Sequence, residues 1–428
     1  MSLTLTASDV EAVEAYAKPR VYLPADSLLA EAAPASPLAA VTLSRALGET
    51  AQVTKAYTTR FRSHVLAPMT VVLGLEHIGA RLEELVGVCR AHSDELAGHS
   101  RESSEMAVRS SLVRSGFPAD RLEARAADYA IQDRYFRVIR TEHMSYETLM
   151  AQVATVSSRL IHDLPYTVLG REEMLGLLEA LVLALTVAQE RSGEPETQTA
   201  TEHGRMASAR KSDTSNSLRA FWEALPDDIE ALDWQVGHYR WLNGHHFWKL
   251  LLLFLIHALD QSEAAVREED EATACHWLSR ARAFLRGTAA AMWYAGDSPS
   301  SVYRNSIRPS MVKLAQEMKA KSFSGVQSAD FGRMKAARTG LRESVRETYG
   351  ADASHWPDAL YVSMRAFHQT DIHCDEQHVL LAFAKVGGED PSEAQKMKMH
   401  KLPPSIRPQS AVDVLRHMAD IKRAELPI

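Results

Sequence analysis

Apolar side chains recur at three- and four-residue intervals along most of the 428-residue chain. Leu75, Ile78, Leu82 and Leu85 form one such series, and this spacing places them on one face of an α-helix. The alternation of apolar and polar residues that is typical of strands is almost absent. The helical pattern covers residues 43–189 and resumes at 218, most clearly at 247–261, 272–294, 311–320, 328–348 and 357–385. We therefore predict an all-α fold, a helical bundle.

The chain divides into four parts. Residues 1–40 are predicted to be an irregular N-terminal segment, because four prolines prevent one continuous helix. Residues 41–190 read as an N-terminal helical domain. Residues 191–217 are polar and poor in bulky apolar side chains, which indicates a linker or mobile loop. Residues 218–428 form a C-terminal helical domain that ends in a proline-rich tail.

The amino-acid composition indicates which classes of molecule the protein can bind. Hydrophobic residues make up 46% of the chain and charged residues 24%, as in ordinary globular proteins. The formal net charge is -7, and the basic residues do not cluster into a long stripe. We therefore expect no nucleic-acid partner.

The lengths of the apolar runs and the positions of the cysteines indicate the cellular compartment of the protein. The longest apolar run, Leu250–Ile256, is too short to cross a bilayer, and the first twenty residues contain no apolar signal core. The three cysteines, Cys89, Cys275 and Cys374, are far apart, and no CxxC occurs. This pattern supports neither a disulfide framework, a zinc ribbon nor covalent c-type haem attachment. We expect a cytoplasmic protein with no membrane partner.

Several common catalytic motifs are missing from the sequence. No histidine has a glutamate three residues before it, which argues against a ferritin-like diiron site. Asp352–His355 and Asp375–His378 have the spacing, but with aspartate. HExxH, the GxSxG nucleophile elbow, the Walker A loop and the glycine-rich dinucleotide fingerprint are also absent.

One histidine near the C-terminus could serve as a haem ligand. His368 follows Met364-Arg365-Ala366-Phe367 on a helix that is mostly apolar on the side of His368, and one such histidine is enough to hold a haem iron. The alternative is a packed core histidine. His373 and His378 compete for the role, but histidines five residues apart cannot share one helical face. Thiolate ligation by Cys374 is a further alternative.

Two segments upstream add candidate residues. Tyr303 precedes Arg308 by five residues in a segment, 296–309, that is rich in serine and proline and is predicted to be a loop. In the second segment, the small residues Ser324, Gly325 and Ser328 surround Gln327. Small side chains let the backbone approach a flat cofactor closely.

These three segments, in this order, resemble the indoleamine and tryptophan 2,3-dioxygenase superfamily of helical haem proteins. The likeness covers about residues 240–390 and is closest to the branch of the ring-rearranging enzyme of pyrrolnitrin biosynthesis, monodechloroaminopyrrolnitrin synthase, which shares the Arg308-Pro309 pair. The resemblance implies an indoleamine/tryptophan dioxygenase-like bundle with an additional N-terminal helical region. It also implies that residues 218–428 bind a haem b.

The resemblance implies a role for each candidate residue. His368 would bind the iron, with Asp371 as an acceptor for its other ring nitrogen. Tyr303 would pack on the substrate ring and Arg308 would bind the substrate carboxylate. Ser324 would contact the substrate amine or bound oxygen, as a catalytic and substrate-binding residue.

Four further residues complete the predicted site. Gln327 and Ser328 would lie against the cofactor. On the distal side, Gly244 would line the cofactor, and His245 would be a catalytic residue that contacts oxygen or takes a substrate proton. The alternative is that His245 and His246 lie at a solvated helix start.

The implied function is that of a haem-dependent oxygenase that inserts oxygen from dioxygen into an aromatic, indole-type amino acid such as tryptophan, in secondary metabolism. A haem peroxygenase or hydroxylase of an aromatic amino acid is the alternative on the same fold. A non-catalytic helical protein that binds a partner through its N-terminal helices is the third hypothesis. Assembly into a homo-oligomer is left open.

Overall fold

The computed structural model describes residues 20–25, 37–60, 69–90, 101–115, 117–142, 144–191, 229–320, 323, 327–387 and 410–424. Helices dominate these residues, which confirms the prediction of an all-α fold. None of the helices in this described part is long and apolar enough to cross a membrane. The predicted linker at 191–217 lies almost wholly outside the described residues.

Six helices precede residue 192 in the described part of the chain. They are α1 Pro37–Arg60, α2 Met69–Arg90, α3 Arg101–Arg114, α4 Leu122–Tyr135, α5 Tyr146–Asp163 and α6 Arg171–Arg191.

Six more helices follow. They are α7 Ile229–Arg267, α8 Glu271–Ala295, α9 Arg308–Glu317, α10 Ala329–Tyr349, α11 Asp358–Val386 and α12 Ala411–Ala424.

Two short strands depart from the helical prediction. β1 (Val21–Pro24) pairs in parallel with β2 (Val138–Thr141), with Val21 opposite Val138. β1 lies within the segment that we predicted to be irregular. Four residues with one partner strand far along the chain leave no periodic signal, so the pairing could not be predicted locally. β2 begins three residues after the end of α4.

Helix α7 is the centre of the molecule. It packs against α8, α10, α5 and α6, while α8 packs on α6 and α11 and α12 covers α11. Buried apolar residues of α1, α2, α5 and α6 and of α7, α8, α10 and α11 belong to one continuous core, whereas those of α3 and α4 form a smaller cluster. The two predicted domains therefore share that core. Gly244 lets α7 approach α8 closely, because a Cβ there would lie 2.7–2.8 Å from backbone atoms of Ala295.

Candidate functional site

A group of ring side chains gathers where α4, α7 and the segment before α9 meet. We call it the aromatic cluster and define it as Tyr135, Phe136, Trp241, His245, Tyr303 and Phe323. The His245 ring stacks on Phe136 at 4.2 Å between centroids, and Trp241 lies 4.2 Å from His245. Tyr303 meets Trp241 edge-on at 5.4 Å. Phe323 closes the group with its ring 4.9 Å from that of Tyr135.

Local structure explains why these rings converge. Trp241 and His245 are four residues apart on α7 and therefore lie on the same face. Phe136 ends α4, and Arg137 follows it with a positive φ of 52°, which turns the chain sharply into β2. Burial raises the pKa of the Tyr135 hydroxyl to about 12, although its hydrogen bond to Ser310 opposes this. The cluster is thus a mainly apolar environment.

The His245 ring has a defined tautomer. Its Nδ1 lies 2.7 Å from the carbonyl oxygen of Trp241, which can only accept, so Nδ1 carries the proton. The Nε2 atom then holds a lone pair, and it has no hydrogen-bond partner among the described residues. Burial, helped by the nearby Lys249 and His378, lowers the pKa of His245 to about 3. His245 is therefore neutral at physiological pH.

A second histidine, His378 on α11, approaches His245 closely enough to influence its pKa. Desolvation by neighbouring protein atoms lowers the pKa of His378 as well, against the opposing charge of Asp375, although the His378 side chain is exposed. His378 has no hydrogen-bond partner within the described parts of the chain. Two neutral imidazoles from α7 and α11 thus come near each other beside the aromatic cluster.

The next residue on α7 holds the backbone beneath the cluster. His246 is fully buried, and its Nε2 donates to the carbonyl oxygen of Phe136 at 2.5 Å. Burial lowers the pKa of His246 to about 3. This bond ties α7 to the end of α4 and so fixes the ring on which His245 stacks.

A buried ion network lies under the aromatic cluster. The Arg140 guanidinium donates to both oxygens of Asp133 and both oxygens of Asp330, at 2.7–2.8 Å. Lys249 lies 3.5 Å from Asp330 and 3.8 Å from Asp133 and donates to Ser328 Oγ at 3.2 Å.

The pKa values of the Asp330 carboxyl and the Lys249 ammonium group are both lowered, for different reasons. Burial acts to raise the pKa of Asp330, but the charges of Arg140 and Lys249 outweigh it and hold that pKa far below its usual range. Burial lowers the pKa of Lys249, with the two carboxylates opposing. The network therefore joins β2, α4, α7 and α10 through charges that water does not screen.

The segment predicted to be a loop at 296–309 is largely helical. Tyr303–Ile307 form a π-helical turn, in which the Arg308 backbone N–H donates to the carbonyl oxygen of Tyr303. A π-turn aligns residues five apart, and such turns are frequent at functional sites. Burial raises the pKa of the Tyr303 hydroxyl, and the positive charge of Arg308 opposes this. The substrate contacts of both residues stay predictions.

The other predicted residues have different surroundings. Ser324 lies outside the described residues. The Gln327 amide donates to Asp128 at 3.2 Å, and Ser328 is fully buried as the acceptor of Lys249. Gly244 lies in the close contact between α7 and α8 that is described above. Cofactor contacts by Gly244, Gln327 and Ser328 stay predictions, and the roles seen for these residues are in packing and hydrogen bonding.

His368 lies away from the aromatic cluster. Its Nε2 donates to the carbonyl oxygen of Lys422 on α12 at 3.1 Å, and it lines a small cavity with Arg338 and Arg342. Asp371, the predicted acceptor for His368, pairs instead with Arg338 and with Lys422 at 3.0 Å. In this arrangement Nε2 of His368 is already engaged.

The two remaining candidate ligands on α11, His373 and Cys374, have different surroundings. His373 is exposed and lies 3.7 Å from Glu376. The Cys374 thiol is buried and donates to the Leu285 carbonyl oxygen at 3.3 Å, and burial raises its pKa. A thiol that is kept protonated is a poor iron ligand.

The fit of a haem can be judged from the donors at the cluster. The described residues contain no group of three or more potential metal-ligating side chains that could hold a metal ion, but a haem iron needs only one protein ligand. His378 and His245 are neutral, the form that binds iron, and flat apolar rings surround His245. The residues present therefore fit a haem between α7 and α11.

Sequence reasoning named His378 only as a competitor of His368, and it missed Phe136 and Lys249. His378 continues the steps of three and four residues made by the buried Met364, Phe367, Asp371, Cys374 and Leu381, although its own side chain is exposed. Phe136 and Lys249 gave no local signal, because their partners are distant in sequence.

Comparison with known proteins gives one family. The family model described as SfmD 3-methyl-L-tyrosine peroxygenase matches residues 80–355, more than half of the chain. The crystal structure of reduced SfmD, soaked with sodium hydrosulfite, matches at 16% identity and a TM-score of 0.42, over 81% of this chain and 97% of that one. The comparison with curated proteins gives no match. The family match contains the aromatic cluster and the ion network and ends before α11.

Proposed function

This chain belongs to the SfmD 3-methyl-L-tyrosine peroxygenase family, and from that membership we propose that it is a haem-dependent peroxygenase that hydroxylates the ring of an aromatic amino acid. The observation that carries the proposal is the family match over the residues that build the aromatic cluster. In the overall reaction, an aromatic C–H and hydrogen peroxide give a phenolic C–OH and water. Dioxygen insertion into an indole, the main hypothesis from the sequence, becomes the second candidate, and the non-catalytic hypothesis is set aside.

We assign the iron to a histidine of α11, and the contacts favour His378 over His368. His378 is an exposed residue of α11 that lies near His245 and has no hydrogen-bond partner among the described residues, whereas Nε2 of His368 is bound to the Lys422 carbonyl. The cofactor would be haem b, held without a thioether bond, since the Cys374 thiol is engaged with Leu285. When bound, the haem would supply the oxidising chemistry.

The substrate ring would be oriented by the aromatic cluster. Trp241 and Tyr303 offer edge and face contacts of the kind that aromatic rings prefer. Arg308, one π-turn from Tyr303, would bind the substrate carboxylate through its planar guanidinium. The surrounding apolar rings would exclude water from the reacting carbon.

His245 would act as a hydrogen-bond acceptor at Nε2, toward peroxide or the substrate hydroxyl. A base is most effective when its pKa lies near the working pH, and the pKa of His245 is about 3. His245 would therefore position a donor rather than remove a proton. Its fixed tautomer, set by the Trp241 carbonyl, makes that position constant.

The test is a turnover assay with isotope labelling. The haem-loaded protein is given L-tyrosine, 3-methyl-L-tyrosine or L-tryptophan, either with ¹⁸O-labelled hydrogen peroxide or with ¹⁸O₂ and a reductant. We expect hydroxylated tyrosine-type product that carries ¹⁸O from peroxide. Label from dioxygen with tryptophan as the preferred substrate would support the second candidate instead, and no product under either condition would refute both.

A further inference from the structure

A cavity of about 590 Å³ lies where the start of α6, the end of α8 and the last turns of α11 meet. We call it the α8–α11 cavity. Its volume is in the range of sites that bind small molecules. It is separate from the residues assigned to peroxide chemistry above, and it is lined by charges of both signs together with apolar side chains.

The negative side of the cavity consists of Asp297 and Glu173. Asp297 Oδ2 accepts hydrogen bonds from Arg240 at 2.8 Å and from the Val168 backbone N–H at 3.2 Å, so the carboxylate is held rigidly. Among the described residues, Asp297 Oδ1 accepts no hydrogen bond, and the Glu173 carboxylate has no ion-pair partner. Arg240 is itself fixed by Asp163 at 2.8 Å. Two carboxylates are thus available to an ammonium group.

The positive side is the ammonium group of Lys385. It donates one hydrogen bond to the Ser298 carbonyl oxygen, which leaves two of its three N–H donors for a ligand. Burial lowers the pKa of Lys385 and raises that of Asp297. Both charges are therefore partly removed from water, where pairing with a ligand charge is stronger than at an open surface.

The apolar wall is formed by Trp293, Leu381 and Pro299. The Trp293 indole N–H donates to the Gln377 side chain at 3.0 Å, which fixes the plane of the ring. A fixed indole next to two aliphatic side chains suits an aromatic ring of a ligand.

We propose that the α8–α11 cavity binds a free aromatic α-amino acid, with its ammonium on Asp297 and Glu173, its carboxylate on Lys385 and its ring against Trp293. Leu381 and Lys385 lie one and two turns beyond His378 on α11. The cavity therefore adjoins the proposed reaction site and serves as a place where substrate is held before entry. Binding at the cavity requires no haem and can be tested on its own, whereas the role as a holding place for substrate rests on the proposed function.

The test is calorimetric titration of the full-length protein, without peroxide, with three probes. L-tyrosine carries both charges, tyramine lacks the carboxylate and 3-(4-hydroxyphenyl)propionate lacks the ammonium. We expect E173Q to weaken L-tyrosine and tyramine about tenfold and leave the propionate unchanged, because one charge-assisted contact is lost. K385M should weaken L-tyrosine and the propionate by a similar factor and leave tyramine unchanged.

Controls make this pattern specific to the cavity. Glu172 is the exposed neighbour of Glu173 and does not line the cavity, so E172Q should bind all three probes like the wild type. K385R should restore binding of the propionate. Absence of saturable L-tyrosine binding, unchanged affinities in both cavity variants, or equal loss of all three probes in K385M would overturn the proposal.

Discussion

In the buried ion network, we predict that removing a negative charge lowers the free energy of unfolding more than removing a positive charge does. Asp330 is fully buried and is bound by Arg140 through both oxygens, by Arg333 at 2.7 Å and by Lys249 at 3.5 Å. Among the described ion pairs, Asp330 and Asp133 face these three cations. D330N therefore leaves one carboxylate against three cations, and we expect it to lower the free energy of unfolding by about 3–5 kcal/mol.

Replacing Lys249 should cost much less. K249M leaves two carboxylates against Arg140 and Arg333, a balanced set, and substitutes an apolar chain of similar length. The lost contacts are long ones, and a buried ammonium no longer has to be desolvated, so we expect a change of about 1.5 kcal/mol or less. D120N serves as the control, because Asp120 is 75% exposed beside Arg121 and should change stability by about 0.5 kcal/mol or less.

Urea denaturation followed by circular dichroism measures these differences, and pH gives a second reading. The pKa of Asp330 is lowered in the folded protein, so its contribution is fully present above the unfolded pKa of about 3.9 and is lost as the pH falls further. The stability gap between wild type and D330N should be constant from pH 8 to about 5 and narrow below about 4. The reasoning from the charge balance would be refuted by equal losses of unfolding free energy in D330N and K249M. It would also be refuted if the stability difference between wild type and D330N did not change at acid pH.

Two other predictions concern packing and thiol reactivity. G244A should lower the free energy of unfolding by about 1–3 kcal/mol in the same urea assay, because its Cβ would meet the Ala295 backbone. An unchanged urea midpoint would show that α7 and α8 can move apart without loss of stability. In native protein at pH 7.5, a maleimide should label Cys275 first, because Cys89 and Cys374 are buried. Burial also raises the pKa of both buried thiols, that of Cys89 to about 12. Rapid labelling of all three cysteines before denaturant is added would contradict the burial of Cys89 and Cys374.

Helix positions could be predicted from the sequence because each helix carries its own apolar period. The stripe that includes Leu75, Ile78 and Leu82 is buried as expected. The β1–β2 pair could not be predicted in this way, because its stability depends on a partner far along the chain. The π-turn at Tyr303–Ile307 was also missed, since serine and proline there suggested a loop.

The candidate site was predictable only in part. The five-residue spacing of Tyr303 and Arg308 falls on one π-turn, and the substrate contacts of the two residues stay predictions. The choice among the α11 histidines rested on a short motif, whereas the three-dimensional structure adds the contact of His368 with α12 and the approach of His378 to His245. Contacts between distant segments decide such a choice, and the local pattern around one histidine does not contain them.

Haem binding by single-histidine variants tests the central claim most directly. Wild type, H378A, H368A and the exposed control H373A are expressed with ample haem and compared by the Soret absorbance per protein. We predict that H378A loses most of the Soret band while H368A and H373A keep it, with folding verified by circular dichroism. A Soret band that is retained in H378A and lost in H368A would contradict the assignment to His378 and support the ligand predicted from the sequence.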